Sequence, residues 1–483
     1  MPRSNLLRIS EKKWPHLLRI PEKIGTPMYE DLVAEYLEYE LPPYITRERA
    51  IPSLPSPQGR NLITTLIGVR RCGKTYLLFQ MMDELVRAGV SRDRVFYFPF
   101  DDDRLGELDS STAARILDAY YALVPDAAEG CYLFFDEIQD VPGWNAFARR
   151  VAEQNAVTLV LTGSSSKLLS SEISTKLRGR SLSYEVWPLG FGEFCRFHDI
   201  DCDVRGGAFT SRRAGRLAQA FSSYLDIGGF PAVQHLDITT RSRLLQQYAD
   251  EIMTKDVLER FGNASYRAGR MLALGVLRST GLKFSVNKQV KAMRSSGISL
   301  SNESAYALLD DFADAHLAYK VSDYSLSIKE NPKSTYKVYS VDQGLSYAVA
   351  PANHVDIGQR FETAVFMELK RRYGDLRDRV IARYASAQCP EVNFIVGDVM
   401  LGAEYELIQV ALESGAGRSG ASGPVSEKYR SEVGNLVKAM GETGLVESYL
   451  VTLDEQEDVF VETGTVHIVP AWKWFLSSSR NLR

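Results

Sequence analysis

One stretch of the sequence reads Leu62-Ile-Thr-Thr-Leu-Ile-Gly-Val-Arg-Arg-Cys-Gly-Lys-Thr-Tyr-Leu-Leu-Phe79. An apolar, β-branched run leads into Gly68-x-x-x-x-Gly73-Lys74-Thr75, and apolar residues at helical spacing follow it. This order predicts a β-strand, a glycine-rich loop and an α-helix, which is the context that a P-loop requires. A chance match to the pattern is the alternative, and a second motif weighs against it.

The residue types in this loop are those that phosphate binding requires. Gly68 and Gly73 let the backbone curl so that its N–H groups, and the positive end of the following helix, point at phosphate oxygens. Lys74 would reach the β- and γ-phosphates, and the Thr75 hydroxyl would ligate Mg²⁺. The stretch therefore predicts an ATP and Mg²⁺ site whose binding residues are Gly68, Arg70, Arg71, Cys72, Gly73, Lys74, Thr75 and Tyr76.

The second motif is an apolar strand that ends in two carboxylates, Cys131-Tyr-Leu-Phe-Phe-Asp136-Glu137. Asp136 would hold Mg²⁺ through water, and Glu137 would orient or deprotonate the attacking water. Paired acids at a strand end are common on protein surfaces, but four apolar residues before them, downstream of a P-loop, favour a Walker B motif. Lys74 and Glu137 are accordingly predicted as catalytic residues.

The stretch Val157-Thr-Leu-Val-Leu-Thr-Gly-Ser-Ser-Ser166 predicts a third strand, which ends in the small polar loop Thr162-Gly163-Ser164-Ser165-Ser166. A polar side chain in this position could sense the γ-phosphate, and Ser164 is the predicted catalytic residue for that role. A plain turn is the alternative reading.

Composition limits the class of protein. A chain of 483 residues is too long for one core, so several domains are expected. The net charge of -4 gives no overall attraction to nucleic acid, so any contact with DNA must come from local patches. The five cysteines are scattered and the N-terminus lacks a signal-peptide core. We expect a cytoplasmic protein without disulfides, a zinc site or a membrane partner.

The pattern divides the chain into five parts. Residues 1–61 form an N-terminal extension that ends in a proline-rich linker, and the sequence does not decide what they pack against. Residues 62–200 alternate strands and helices, as a parallel α/β sheet does. Residues 201–264 are a predicted helical lid, 265–325 a winged-helix-like module, and 326–483 a second α/β domain.

The order of these motifs resembles AAA+-type P-loop ATPases of bacteria and archaea that carry a C-terminal domain of the PD-(D/E)xK nuclease fold. Besides the two nucleotide motifs, the resemblance rests on Leu161-Thr-Gly-Ser-Ser165, Leu177-Arg-Gly-Arg180 and Trp187-Pro-Leu-Gly-Phe-Gly-Glu-Phe194. It continues in Tyr224-Leu-Asp-Ile-Gly-Gly-Phe-Pro-Ala232 and Tyr336-Lys-Val-Tyr-Ser-Val-Asp-Gln-Gly-Leu345. The resemblance implies a P-loop core, a lid and a nuclease-like domain, and it indicates architecture more firmly than function.

Arg178 and Arg180 lie on a glycine-containing loop and are predicted as catalytic arginine fingers. A forked, always-charged donor supplied across a subunit interface accelerates phosphoryl transfer. If the fingers are real, the active unit is a homo-oligomer, with a hexamer as one arrangement. A solvated basic loop is the alternative.

Two groups of cations are candidates for contact with DNA. The first group, in the winged-helix-like module, is Lys283, Lys288, Lys291 and Arg294. The following helix, predicted from Asn302 to Ala315, carries only acids among its charged residues, which argues against its entry into a major groove. A lid or protein-docking role for the module therefore stays open. The second group, in the last domain, is Lys370, Arg371 and Arg372, for which a salt-bridged helix end is the alternative.

The nuclease-like pattern lacks parts that DNA cleavage needs. Asn393 stands where a metal-binding acid is expected, and Gln409-Val410-Ala411 replaces Glu-x-Lys, although Glu362 and Glu391 remain. We therefore expect no nuclease activity. The predicted function is Mg²⁺-dependent ATP hydrolysis coupled to remodelling of, or movement along, DNA, including branched or junction DNA, by an oligomer. The alternative is a regulatory switch whose nucleotide state controls protein partners.

Overall fold

The computed structural model describes residues 29–48, 53–58, 61–154, 156–163, 177, 179–203, 210–258, 263–324, 336–350, 356–374, 379–398, 403–412 and 427–477. They form three β-sheets surrounded by helices. Among the described residues, no helix combines the length and the apolar composition that crossing a bilayer needs.

Five parallel strands make the first sheet, in the spatial order β2-β3-β4-β1-β5. They are β1 (Ile63–Ile67), β2 (Val95–Pro99), β3 (Cys131–Asp136), β4 (Val157–Thr162) and β5 (Ser181–Glu185). Every residue of β1, β3 and β4 is buried, which is why these strands are nearly continuous apolar runs. The predicted α/β core with a parallel sheet is confirmed. Since the strands are parallel, the glycine loop and the paired acids leave the same edge of the sheet.

The N-terminal extension packs on this sheet within the same chain. The extension contributes α1 (Tyr29–Leu37). The helices that alternate with the strands of the first sheet are α2 (Lys74–Arg87), α3 (Thr112–Leu123) and α4 (Trp144–Gln154). In α1, Leu32 and Val33 enter the core on one face of the sheet, and the Tyr36 hydroxyl donates to Asp102 at 2.7 Å. Further along, the Tyr44 hydroxyl donates to Asp83 of α2 at 2.5 Å. The question that the sequence left open is therefore answered for residues 29–48.

Helices dominate the next part of the chain, where the sequence predicts a lid. They are α5 (Phe191–Phe197), α6 (Ser211–Ile227) and α7 (Ile238–Glu251), and a π-helical turn, Ile252–Val257, continues α7. Such turns are rare, and they occur frequently at functional sites. The π-helical turn contacts the glycine loop, as described below.

A compact helix and hairpin module follows. Its elements are α8 (Asn263–Arg278), β6 (Leu282–Phe284), α9 (Val286–Ser295), α10 (Asn302–Asp314), β7 (Ala318–Val321) and β8 (Tyr336–Ser340). The strands form an antiparallel sheet in the order β6-β8-β7. β8 thus belongs to this sheet, although the sequence pattern assigns residues 326–483 to the last domain. It pairs with β7, the preceding strand, and with β6, which lies before α9 and α10 in the chain, so a local pattern does not reveal the second pairing.

The last part contains a mixed six-stranded sheet in the order β13-β14-β12-β11-β10-β9. Its elements are α11 (Gln343–Val349), α12 (Ile357–Tyr373), β9 (Arg379–Tyr384), β10 (Val392–Asp398), β11 (Ala403–Val410), α13 (Glu427–Thr443), β12 (Glu447–Thr452), β13 (Glu457–Val461), β14 (Gly464–Pro470) and α14 (Ala471–Leu476). β9, β10 and β11 are antiparallel neighbours, and β12 joins β11 in parallel. A helix, three antiparallel strands, a helix and a parallel strand therefore follow one another.

Two motifs that are distant in the sequence meet between α6 and α11. The Asp342 carboxylate accepts hydrogen bonds from the backbone N–H groups of Gly229, at 2.6 Å, and Leu345, at 2.8 Å. A Cβ atom on Gly344 would lie 2.3 Å from the carbonyl oxygen of Ile227, so only glycine fits this crossing. The glycine pair after α6 and the Asp-Gln-Gly sequence after β8 thus form one buried junction.

The junction predicts a pH dependence of stability. Burial raises the pKa of Asp342 to about 6, although the N–H groups of Gly229 and Leu345 and the charge of Arg371 lower it. The folded state therefore binds this proton more tightly than the unfolded chain, whose Asp pKa is about 3.9. The contribution to stability is complete below pH 4 and is lost as the pH rises through 6, a change of ~3 kcal/mol.

Asp342→Asn removes this titration. Chemical unfolding of both proteins between pH 4 and 7 should show the wild type losing stability relative to the variant as the pH rises. A difference between the two proteins that stays constant over this range would contradict the assignment.

Candidate functional site

The glycine loop joins β1 to α2 and bends at two glycines. Gly68 has φ +149°, and a Cβ atom there would lie 2.1 Å from the carbonyl oxygen of Val186. Gly73 has φ +101° and precedes α2, where a Cβ atom would approach an Arg47 nitrogen at 2.8 Å. Other residues would be strained in both positions, so the motif's glycines are required by the backbone path.

Lys74 and Thr75 begin α2, and their side chains have different partners. The buried ammonium of Lys74 donates to the carbonyl oxygens of Gly68, at 3.0 Å, and Val69, at 3.2 Å, and so lies across the loop. The Thr75 hydroxyl donates to Asp136 Oδ2 at 2.7 Å. The predicted partners of the two motifs are therefore in direct contact.

Asp136 is a buried carboxylate held by three hydroxyl groups. Besides Thr75, the hydroxyl of Tyr97 donates to Oδ2 at 3.2 Å, and the hydroxyl of Thr162 donates to Oδ1. Burial raises the pKa of Asp136, the charge of Glu137 raises it further, and the hydrogen bonds from Thr162 and Thr75 lower it. These donors offset part of the desolvation cost of the charge.

Glu137 leaves the strand in the left-handed region, with φ +49°. This conformation is sparsely populated for a non-glycine residue and is found disproportionately at active sites. Just after β3, Gln139 Nε2 donates to Glu137 Oε2 at 2.6 Å. At the end of β2, Asp101 shares this environment, since burial and then the charges of Asp136 and Glu137 raise its pKa.

Thr162 joins the two acids, and the sequence did not single it out. Its hydroxyl donates to Asp136 and accepts the backbone N–H of Glu137 at 3.2 Å. The predicted residue for this strand, Ser164, lies outside the described residues. The sequence did contain a signal for Thr162. It carries a hydroxyl at the last position of β4, and β4 is the parallel neighbour of β3, so the ends of both strands lie at the same edge of the sheet.

The oxygen donors at this edge fit a magnesium ion. Among the described residues, no group of three or more His, Cys, Asp or Glu side chains could hold a metal ion. Mg²⁺ is usually bound by only one or two protein oxygens together with phosphate oxygens and waters. The Thr75 hydroxyl and the Asp136 carboxylate, beside a phosphate-binding loop, satisfy that requirement.

The side chains of Arg70 and Arg71, predicted to bind nucleotide, contact the helical region. Arg70 Nε lies 2.8 Å from a carboxylate oxygen of Asp256 in the π-helical turn, whose side chain is fully buried. Arg71 pairs with Glu251 at 3.5 Å and lies over the ring of Tyr248. The loop backbone is thereby connected to α7 and its π-helical extension. Cys72 is buried, and Tyr76 is exposed on the first turn of α2.

Arg178 lies outside the described residues, and Arg180 lies far from the loop. Arg180 precedes β5, and its carbonyl oxygen accepts the N–H of Ile63 at the start of β1. Its guanidinium pairs with Glu153 of α4. Arg180 is therefore at the edge of the sheet opposite the glycine loop, and a finger role would require the site of another subunit.

The two groups of predicted DNA-contacting cations differ in their surroundings. Lys288, Lys291 and Arg294 are exposed on α9, while the half-exposed Lys283 pairs with Glu391 at 3.3 Å. The second group is engaged inside the molecule, so its predicted role in DNA contact is corrected. Lys370 pairs with Glu185 at 3.8 Å.

The two arginines of this second group are held by backbone carbonyls. Arg371 Nη2 donates to the carbonyl oxygen of Pro188 at 3.0 Å, and Arg372 Nη2 donates to that of Trp474 at 2.6 Å. The Arg372 side chain is 8% exposed. Their tertiary partners, which the local sequence does not reveal, make these cations part of an interior interface.

The positions that the sequence compares with a nuclease site, among them Asn393, Gln409 and Ala411, line a cavity of about 340 Å³ between α12, β10, β11 and α13. Asn393 Oδ1 accepts the N–H of Val410, and Gln409 Oε1 accepts the N–H of Asn393, both at 2.9 Å. Lys337 of β8 donates to Glu362 at 2.7 Å and pairs with Glu391 at 2.8 Å. Lys337 thus bridges the two remaining acids, and Glu391 also pairs with Lys283 and Arg383.

A comparison with known protein families supports the interpretation of the part of the chain that contains the first sheet. Residues 60–195 match a family described as an AAA domain, and residues 218–356 match a domain of unknown function. Together with the glycine loop, the paired acids and the parallel sheet, the first match defines residues 60–195 as a P-loop ATPase domain. The chain as a whole is similar to an uncharacterized protein of Methanocaldococcus jannaschii, with 28% identity over 98% of this chain and 100% of the relative.

A second relative, an uncharacterized protein of Haemophilus influenzae, is 28% identical over 68% of this chain and 79% of its own length. Among solved structures, the Walker-type ATPase of Pyrococcus abyssi is 14% identical and covers 68% of this chain and 97% of its own, with a TM-score of 0.39. The Aeropyrum pernix ORC1 protein in complex with DNA is 12% identical, covers 68% of this chain and 91% of its own, and has a TM-score of 0.26. Because both scores lie below 0.5, neither likeness decides fold or function.

The bridging position of Thr162 predicts a defect in hydrolysis. Thr162→Val removes the hydroxyl that holds Asp136 and the Glu137 backbone, so turnover at saturating ATP should fall on the order of 10²-fold. ATP affinity should change little, because the glycine loop is intact. Thr158→Val, at the other end of β4, is the control, since that hydroxyl donates to Pro55 instead. Equal turnover of the two variants would contradict the assigned role.

Proposed function

We propose that the chain is a Mg²⁺-dependent ATPase that acts on DNA, including branched or junction DNA, as a homo-oligomer such as a hexamer. The observation that carries the proposal is the direct contact between Thr75 and Asp136, beside Glu137 and the glycine loop. It brings a phosphate-binding loop, hard oxygen donors for Mg²⁺ and a further carboxylate to one edge of one sheet.

The roles of the residues follow from these positions. The loop N–H groups and Lys74 bind the β- and γ-phosphates, and Thr75 and Asp136 hold Mg²⁺, which neutralises charge on the phosphate oxygens when bound. Glu137 accepts a proton from the attacking water or orients it, and Thr162 fixes the position of both acids. Arg178 and Arg180 are proposed as fingers that act on the site of another subunit.

We also propose a role or fold for each of the three parts of the chain that follow the first sheet. A lid role for residues 201–264 is supported by the Arg70–Asp256 ion pair. A winged-helix role for the next module is supported by its order of three helices and three strands, and it then extends to β8. A nuclease-like fold for the last part is supported by the run from α12 to β12. The side-chain amide oxygens of Asn393 and Gln409 accept backbone N–H groups of the neighbouring strands, which supports the proposal that this part does not cleave DNA.

Contact with DNA is proposed for α9. Lys288, Lys291 and Arg294 follow at intervals of three residues on one side of this helix, and all three are exposed. In α10, by contrast, Glu303, Asp310 and Asp314 are exposed, which disfavours contact of this helix with phosphates. The proposal therefore assigns sequence-independent phosphate contact to α9.

A regulatory switch acting through protein partners is the second candidate function. It is favoured by the acidic surface of α10 and by the ion pairs that connect the loop arginines with α7 and its extension. Sedimentation with ADP and with ATP, in the absence and presence of DNA, distinguishes the two. Assembly that follows the nucleotide, with ATP turnover unaffected by any DNA, would favour the switch over the DNA-acting ATPase.

Two substitutions separate nucleotide binding from hydrolysis. Lys74→Ala should abolish measurable ATP binding, because the loop loses the ammonium that would contact the β- and γ-phosphates. Glu137→Gln should bind ATP as the wild type does but turn it over very slowly. Calorimetric titration and phosphate release measure the two properties. Normal turnover of Glu137→Gln would refute the catalytic assignment.

The proposed DNA surface has its own test. Replacing Lys288, Lys291 and Arg294 by alanine should weaken binding to every DNA form and reduce the dependence of log K on log salt by about 0.9 per lost phosphate contact. Arg212→Ala/Arg216→Ala, which changes two exposed arginines of α6, is the control. An unchanged salt dependence in the α9 variant, or an equal loss in both, would remove α9 from the proposal.

A further inference from the structure

An arginine of the N-terminal extension lies directly against the glycine loop. Arg47 is 8% exposed, although it is outside the loop motif and before the first strand. Its Nη1 donates to the carbonyl oxygen of Cys72 at 2.9 Å, its Nη2 to that of Trp187 at 2.8 Å, and its Nε to Glu193 at 2.6 Å. One guanidinium thus connects the loop, the segment after β5 and α5.

Further hydrogen bonds fix both the carboxylate partner of Arg47 and the backbone of Arg47 itself. Glu193, which is buried, also accepts the backbone N–H groups of Gly190 and Glu48, each at 2.8 Å. Burial raises the pKa of Glu193, but Arg47 and the Gly190 N–H outweigh this and lower it. The backbone N–H of Arg47 donates to Gln80 of α2 at 2.8 Å. Arg47 is therefore fixed relative to the helix that follows the loop.

The contact with Cys72 sets the direction of the next N–H group. In a planar trans peptide, the C=O of one residue and the N–H of the next point in opposite directions. Since the Cys72 carbonyl is directed at Arg47, the N–H of Gly73 is directed away from it. Gly73 precedes Lys74 and Thr75, where the backbone N–H groups of a P-loop face phosphate.

We propose that Arg47 is a positioning residue for phosphate binding, which orients the Cys72–Gly73 peptide before the nucleotide arrives. The inference rests on the proposed ATP site and adds a residue from the extension to it. Arg47 touches neither the nucleotide nor Mg²⁺ in this role. Its effect is on the affinity for the β-phosphate, because preorganised N–H groups lose less freedom on binding.

This role predicts a specific pattern of ligand affinities. Loss of the oriented N–H should weaken the binding of ATP and ADP, which carry a β-phosphate, and leave the binding of AMP unchanged. The turnover rate at saturating ATP should also stay close to that of the wild type, because Asp136, Glu137 and Thr162 are not in contact with Arg47.

Arg47→Lys is the principal variant, since it retains a positive charge beside the buried Glu193. A lysine ammonium presents its donors from one point and cannot span a carboxylate and two carbonyls as the arginine fork does. The dissociation constants for ATP and ADP should rise about tenfold or more, which is about 1.4 kcal/mol or more. Tyr44→Phe is the control, because it removes another hydrogen bond of the same extension, to Asp83, away from the loop.

Calorimetric titration with ATP, ADP and AMP, kcat at saturating ATP, and thermal unfolding without nucleotide test the proposal. A folded Arg47→Lys protein with wild-type affinity for ATP and ADP would overturn it. A loss that is equal for AMP, or that is matched by Tyr44→Phe, would overturn it too, since either shows a general effect of the extension. If the wild type binds none of the nucleotides, the proposed function itself fails, which is a different result.

Discussion

The candidate site depends on the burial of one carboxylate. Asp136 ends a central strand of a parallel sheet where water hardly reaches it, and an unpaired charge in such a place would destabilise the fold. Three hydroxyl groups satisfy it, and they come from β2, α2 and β4. Any shift in the register of these strands would separate the donors from the acid. The geometry of the site is therefore a property of the whole sheet.

A second set of buried charges joins the ATPase domain to the parts that follow it. At the end of β5, Glu185 accepts the Tyr319 hydroxyl at 2.8 Å and contacts His316, both of which belong to the helix and hairpin module. Lys370 of α12 completes this group. Burial raises the pKa of Glu185, but the charges of His316 and Lys370 lower it to about 2. The carboxylate thus stays ionised inside an interface between three parts of the chain.

Sequence predicted those features whose cause is local. The glycine loop, Lys74, Thr75 and Asp136 follow from short motifs in which backbone path and chemistry are set by neighbouring residues. Thr162 was missed because its importance comes from the adjacent strand, and attention went to the serines after it. Lys370, Arg371 and Arg372 were misassigned because a run of cations shows charge but not the carbonyls and carboxylates around it. The side-chain directions of Arg70 and Arg71 likewise depend on a helix almost two hundred residues away.

The position of Arg47 has a practical consequence for anyone who divides this chain. The motifs suggest that the ATPase domain begins at residue 62, just before β1. A shortened protein that starts there would retain Glu193 in the interior but not the guanidinium that neutralises it. The nucleotide motifs would all be present, yet a buried carboxylate would lose the guanidinium that pairs with it. We therefore expect a stable shortened protein to need Arg47, so that its boundary follows electrostatics rather than motif edges.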